Sequence, residues 1–468
     1  MEWNKENIQK LVEKQRAYFR SGETLDINFR KENLKKLKNG VIKYQDKLMD
    51  ALHHDLGRSK MEAYFCDVAS LILEINEAIK GIKKWAKPET HFSGLLAFPS
   101  IFTKVYKKPY GVTLVISPFN FPVLLSLGVV TAAISSGNTV VLKLSSKSKA
   151  TSEVINELVS EVFSEEYVKV VLGGHDVADM LLENRFDKIF YTGSPQVARH
   201  ILECASRYLT PVALELGGEN GNWAMVTKDS DYRDAARKIA FIKSLNSGQI
   251  CINVNQVAVS KTISKEFLNA LQGEFRRQLG KNPIDNPEYP KLIAESSFDR
   301  CLKDLEPYRD KIVYGGEYDR NTLKFSPTIL YPIDINSEIV QKELFSPILP
   351  IVEYDDKDLD KVIDTIEARE HPLAFYLFTK NKKWAKHIMS RMQFGGGCIN
   401  EVCIHLMVKG VPFNGCGHSG MGAYHGEWGF REFSHPSTVL IGKNKMNLAL
   451  REHPYTDKKY KMIGKFEK

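Results

Sequence analysis

A chain of 468 residues, 43% hydrophobic and 26% charged, exceeds one ordinary core and reads as a folded protein of two or three domains, not a disordered or fibrous one. Seven cysteines, with no CxxC pair and no Cys/His ligand spacing, argue against a disulfide framework and a metal site, and point to a reducing, cytoplasmic setting. The formal charge of +8 suits an anionic nucleotide, whereas the absence of a signal peptide, a long apolar run and aromatic-basic interleaving leads us to expect no membrane anchor and no nucleic acid.

Apolar residues at helical spacing predict helices over residues 4–20, 29–56 and 62–85, a helical layer covering a sheet. Residues 86–110 carry prolines 88, 99 and 109 and an extended run at 101–106, the pattern of a projecting arm that could pair with a distant strand such as 438–442. From Gly111 the period changes. Short apolar strands at 112–117, 139–144, 168–172, 188–191 and 212–216 alternate with helices, which predicts a parallel sheet covered on both faces. Its ligand is expected beyond the C-terminal strand ends. No GxGxxG follows the first strand, so a dinucleotide would be held in another way. A second α/β block spans about 229–404, and a segment rich in glycine and aromatics, 411–433, reads as a functional loop.

The sequence NSGQICINVN at 246–255 places Cys251 on a tight loop that feeds the strand 256–260. Five further groups surround it in sequence order. SPFNFP (117–122) brings the Asn120 amide, and GNTVVLK (137–143) ends a strand on Lys143. YTGSP (191–195) is a strand, a glycine turn and a helix start, where free N–H groups meet phosphate. LELGG (214–218) ends a strand near Glu215, and ELFSP (343–347) supplies Glu343 and an aromatic ring.

Together with PFNGCGHSGMGAYHG at 412–426, these motifs resemble the aldehyde dehydrogenase superfamily, in particular its class 3-like fatty and aromatic aldehyde branch, over about residues 25–442. The resemblance implies an α/β aldehyde dehydrogenase fold. A Rossmann-like cofactor domain would span 1–85 and 107–222, a catalytic α/β domain 223–410, and a small β oligomerisation arm 86–106 with 430–445. It implies that Cys251 attacks an aldehyde, that Asn120 and the Cys251 N–H hold the oxyanion, and that Glu215 activates water against the thioester. Lys143, Ser146, Gly193, Ser194, Gly217, Glu343 and Phe345 would hold NAD or NADP. Tyr64, Phe119, Phe121, Cys403 and His405 would wall the substrate channel, no metal is involved, and a homodimer is expected.

The chain also departs from the family pattern. Ser146 stands where the family has a glutamate that would repel a 2′-phosphate, so either nucleotide is expected to bind. Ala198, Glu219, Ile250, Ser346 and Asn414 replace common family residues near the site. Two other readings follow from the residues: an enzyme passing its thioester to coenzyme A, and a non-catalytic binding protein that keeps the fold. The presence of Glu215 argues against the first, and Cys251 with Glu215 against the second.

Overall fold

The computed structural model describes residues 3–94, 97, 100–444 and 446–465. The N-terminal helices form where periodicity places them. Lys5–Arg20 buries Ile8, Leu11 and Val12, and Ile27–Leu56 buries Leu34, Leu37, Val41, Leu48 and Leu52. Asp26 caps the second helix by accepting from Asn28 N at 3.0 Å. The single helix expected over 62–85 is three pieces: Lys60–Ala63, a π-helical turn Tyr64–Ala69, and Ser70–Trp85. Asp67, within that wide turn, is fully buried and accepts from the N–H groups of Val123 and Leu124 at 3.0 and 2.8 Å. A single π turn leaves the apolar spacing on either side nearly intact, so periodicity does not register it.

Strands β1 (Glu89–Phe92) and β2 (Phe102–Pro109) pair antiparallel, and β2 pairs in turn with Ser434–Leu440, from Thr103 opposite Leu440 to Pro109 opposite Ser434. Of the segments read as an arm, residues 95, 96, 98, 99 and 445 lie outside the described residues.

The run of strands from Gly111 folds as one sheet. It contains β3 (Val112–Ile116), β4 (Thr139–Lys143), β5 (Val168–Val171), β6 (Lys188–Gly193) and β7 (Val212–Leu216), in the parallel order β5-β4-β3-β6-β7. Helices bury both faces, which is why these strands are almost continuously apolar. Gly420–Met421 adds an antiparallel edge beside β7, with Gly420 opposite Glu215. This edge brings the glycine-rich segment to the strand that carries the carboxylate.

The second sheet holds β8 (Trp223–Val226) and β9 (Gln256–Ser260) at its centre. Among the described residues Thr328–Ile333, Ile348–Tyr354, Ala374–Phe378 and Gly396–Ile399 extend it in parallel, and Ile312–Tyr314 closes one edge antiparallel.

Candidate active site

The C-terminal ends of β3, β4, β6 and β7 open on a cavity of about 690 Å³, the place an open parallel sheet offers a ligand. Phe119 and Asn120 follow β3, and Lys143 ends β4 with Ser146 just beyond it. Gly193 ends β6 with Ser194 next, and Glu215 and Gly217 stand at the end of β7. Cys251, Arg300, Glu343 and Phe345 line the same cavity from the second block. Eleven of the residues singled out in the sequence therefore meet at one cavity.

The loop carrying Cys251 leaves the helix Tyr232–Ser244 through Asn246 and Ser247, with φ of 49° and 51°, and Gly248, with φ of 75°. Three successive left-handed residues reverse the chain sharply, a conformation that costs non-glycine residues of order 1–3 kcal/mol each. A Cβ on Gly248 would lie 2.2 Å from Ser346 O, so the loop backbone packs directly on the 343–347 segment. Past the turn, Asn222 donates to Cys251 O and Asn253 O at 2.7 and 2.9 Å, and Asn253 donates to Gly248 O at 2.8 Å.

Burial pushes the Cys251 thiol up to about 12, and negative charge on Glu343 and Glu215 adds to the rise. The N–H groups of Ile252 and Cys251 favour the thiolate and oppose it. Glu215 is 3% exposed, and its Oε2 has no hydrogen-bond partner among the described residues. Burial, with the charge of Glu432, raises its carboxyl well above the ordinary range. Burial likewise lifts Glu343 to about 8, against the pull of Arg300. Gly217 lies directly against Glu343: a Cβ there would sit 1.9 Å from Glu343 Oε1, so the carboxyl would have to swing aside. Burial thus disfavours the charged form of all three groups, the Cys251 thiol and the Glu215 and Glu343 carboxyls.

The nucleotide side is equally built. Lys143 Nζ donates to the carbonyls of Leu144 and Gly173 at 2.8 and 2.7 Å, and burial draws its ammonium down to about 8. The Tyr191 hydroxyl accepts from Ser194 N at 2.9 Å, fixing the turn before the helix Pro195–Ser206, with Pro195 in its first turn. A helix start at the cavity with free N–H groups, a lysine at a strand end, and a buried carboxyl with an unpartnered oxygen together fit a dinucleotide's pyrophosphate and two riboses.

The model of the aldehyde dehydrogenase family matches residues 1–439. Aldehyde dehydrogenase family 3 member H1 of Arabidopsis thaliana is 38% identical over 456 residues, 97% of this chain and 93% of that protein. The 4,4′-diaponeurosporen-aldehyde dehydrogenase of Staphylococcus aureus is 34% identical over 97% of each chain. A substrate-bound Staphylococcus aureus AldH structure superposes with a TM-score of 0.95 at 33% identity, covering 98% of this chain and 99% of that one. The chain belongs to the aldehyde dehydrogenase family. It falls in the family 3-like branch and is an NAD(P)-dependent aldehyde dehydrogenase, with that family's Rossmann-like and catalytic domains.

In this aldehyde dehydrogenase the five candidate channel residues separate. Phe119 lines the cavity and meets Phe345 edge-on at 5.9 Å. The other four lie off its wall. Tyr64 is exposed on the π turn, and Phe121 packs under the Arg58 guanidinium at 4.4 Å. Cys403 Sγ lies 3.6 Å from Ile252 O, one residue past the nucleophile. His405 Nδ1 faces Cys398 Sγ at 3.4 Å, and burial lowers its imidazole to about 4, so it is neutral.

Sequence reasoning missed Arg300 and Lys147, which line the cavity, and Arg58, which braces it from behind. None of the three sits in a motif, and the helix Glu295–Leu305 reads only as a face that buries Phe298, Cys301 and Leu305. The departures from the family pattern are accommodated locally. Ala198 is buried within a helix, and Glu219 pairs with Arg199 and His418, each at 2.7 Å. Ile250 and Ser346 are buried, and Asn414 pairs with Ala423 without a positive φ. Among the described residues no helix is long and apolar enough to cross a membrane, and no cluster could hold a metal ion.

Proposed function

We propose that this enzyme oxidises medium- to long-chain or aromatic aldehydes to carboxylic acids through a covalent intermediate on Cys251. The observation that carries the reading is the meeting on one cavity of the Cys251 thiol, the Asn120 side chain and the Glu215 carboxyl, whose Oε2 has no hydrogen-bond partner among the described residues. No hydrogen bond commits the Asn120 carboxamide among the described residues, which leaves its N–H₂ available for an oxyanion. Cys251 gives its proton to water as its sulfur bonds to the carbonyl carbon. The oxygen, now anionic, takes hydrogen bonds from Asn120 Nδ2 and the Cys251 N–H. Bound NAD(P)⁺ would accept the hydride. Glu215 then takes a proton from water as that water attacks the thioester, and the Cys251 sulfur leaves. Lys143, Ser146, Gly193, Ser194, Gly217, Glu343 and Phe345 form the nucleotide side in this reading.

The preference for long apolar substrates rests on what surrounds the two reacting loops. Met61, Tyr64 and Phe65 are exposed on the helical segment that follows Arg58, whose guanidinium donates to Asn120 O, and Ile404, Met407 and Val408 are exposed on the turn that follows Cys403. Burying each added methylene is worth about 0.8 kcal/mol, so kcat/KM from acetaldehyde to decanal is expected to rise by up to roughly fourfold per carbon. Nicotinamide absorbance with either nucleotide and no coenzyme A measures it. A flat series would remove the long-chain reading, and turnover that appears only with coenzyme A would replace hydrolysis with acyl transfer.

Ser146 is exposed at the cavity and carries no charge, so nothing there repels a 2′-phosphate. Ser146→Glu is expected to lower NADP use relative to NAD by tenfold or more, about 1.4 kcal/mol of added repulsion. An unchanged ratio of the two kcat/KM values would locate the discrimination elsewhere. The organisation fits the same reading: residues 1–85 and 107–222 serve the nucleotide, 223–410 the chemistry, and 86–106 with 430–445 a homodimer contact. The exposure of Phe92, Phe102 and Leu440 on the three-stranded sheet supports that contact.

A further inference from the structure

Two hydrogen-bond donors on separate loops must converge on one oxyanion, so some group has to set the distance between those loops. The geometry points to Arg58 as that group: a positioning residue that holds the Asn120 donor in register with the Cys251 loop. This inference rests on the reading of Asn120 as an oxyanion donor.

The Arg58 guanidinium is completely buried and bonds to three chain segments at once. Its Nη1 donates to Asp67 Oδ2 at 2.5 Å, its Nε donates to Asn246 Oδ1 at 3.0 Å, and its Nη2 donates to the backbone carbonyl of Asn120. Asn246 closes the triangle, with Nδ2 donating to Asn120 O at 3.1 Å and to Gln249 O at 2.9 Å. The bonds reach the loop of Asn120 and the left-handed turn that leads to Cys251, five residues before the thiol.

Two further contacts stiffen this brace. Asp67 pins the segment after Asn120 through the N–H groups of Val123 and Leu124, and Glu62 Oε1 accepts from Asn246 N at 2.8 Å. The Phe121 ring lies under the guanidinium at 4.4 Å, which fixes its plane. A planar fork with five donors can hold three acceptors in fixed directions, whereas an ammonium on a flexible stem cannot. Arg58 touches neither the cavity nor the reacting atoms, so it acts through Asn120 and Asn246.

The bland alternative is a buried ion pair that only supports the fold. A cycle of variants separates the two. Arg58→Lys, Asn120→Ala and the double variant are compared by the rate of the first NAD(P)H burst, alongside thermal melting and alkylation of Cys251 by iodoacetamide, which needs the thiol but no oxyanion donor. Removing one oxyanion donor costs about 10²–10³-fold, and Arg58→Lys, which misplaces it, is expected to slow the burst by about 10–100-fold. In the Asn120→Ala background the same change is expected to cost less than about threefold, because the donor it positions is already gone. Alkylation of Cys251 in Arg58→Lys should stay within about twofold of the parent.

Multiplicative losses in the double variant, or a normal burst in a folded Arg58→Lys protein, would overturn the positioning role. A normal burst in Asn120→Ala alone would instead remove the oxyanion-donor reading on which it rests. Should Arg58→Lys fail to fold, Asn246→Ala reads the same geometry with the ion pair intact. It is expected to show the same non-additivity with Asn120→Ala, and additivity there would equally sink the inference.

Discussion

Cys251→Ala protein forms no NAD(P)H above background while still binding the nucleotide. The expected loss is on the order of 10⁴–10⁶-fold, the scale on which essential catalytic groups act as a unit. Nucleotide binding survives because the groups that fit it, the start of the helix Pro195–Ser206, Lys143 and Glu343, do not include the thiol. Turnover in Cys251→Ala, or a protein that no longer binds NAD(P)⁺, would end this assignment of roles. The same thiol has a second signature. Because burial and two nearby carboxyls push it up to about 12, the thiolate is scarce near neutral pH. Its alkylation by iodoacetamide should climb about tenfold per pH unit through about pH 9 with no plateau, since only the thiolate reacts. A plateau near neutrality would mean that the resting site already activates its nucleophile.

The place of the site was legible in the sequence because its residues lie at strand ends, whereas their roles came from the family resemblance. Lys143, Gly193 and Glu215 fall at the C-termini of apolar strands, and a parallel sheet gathers such positions along one edge regardless of their separation in the chain. The loop of Cys251 was legible for a related reason, since small and amide residues before a strand favour a tight turn. The channel candidates Phe121 and His405 read as aromatic or polar residues beside motifs, and what the sequence could not give is their neighbours, the Arg58 guanidinium for one and Cys398 Sγ for the other. Side-chain direction at a loop depends on what fills the space behind it, and no periodicity records that. Arg58 and Asp67 escaped for the same reason. Their partners lie 188 and 57 residues away in the chain, at Asn246 and Leu124, so no local spacing marks the two residues as a buried pair. The π turn that brings Asp67 inward completes the disguise.

Glu215→Gln should separate the two halves of the reaction. The first NAD(P)H burst should persist, because the Cys251 thiol and the Asn120 amide remain, and steady turnover should fall by about 10²–10⁴-fold, the usual worth of a general base. The pH dependence fixes the role more tightly. A carboxyl takes a proton from water only as the carboxylate, and burial with the charge of Glu432 holds the Glu215 pKa well above the ordinary value. Below that raised pKa Glu215 is neutral and idle, and above it the carboxylate forms. Thioester hydrolysis in the parent enzyme should therefore rise with pH well beyond the usual carboxylate range. In Glu215→Gln that titration vanishes, and the remaining hydrolysis should follow hydroxide alone, rising about tenfold per pH unit without a plateau. Single-turnover release of the acid from preformed acyl-enzyme measures both limbs. If the parent and the variant shared one pH profile, the base would be another group. If the burst disappeared with the carboxyl while preformed acyl-enzyme hydrolysed at the parent rate, Glu215 would instead act on the thiol. The unpartnered, buried Oε2 of Glu215 at the shared cavity is what favours water as its target, since a buried carboxyl oxygen left without a donor has its hydrogen-bonding capacity free for one.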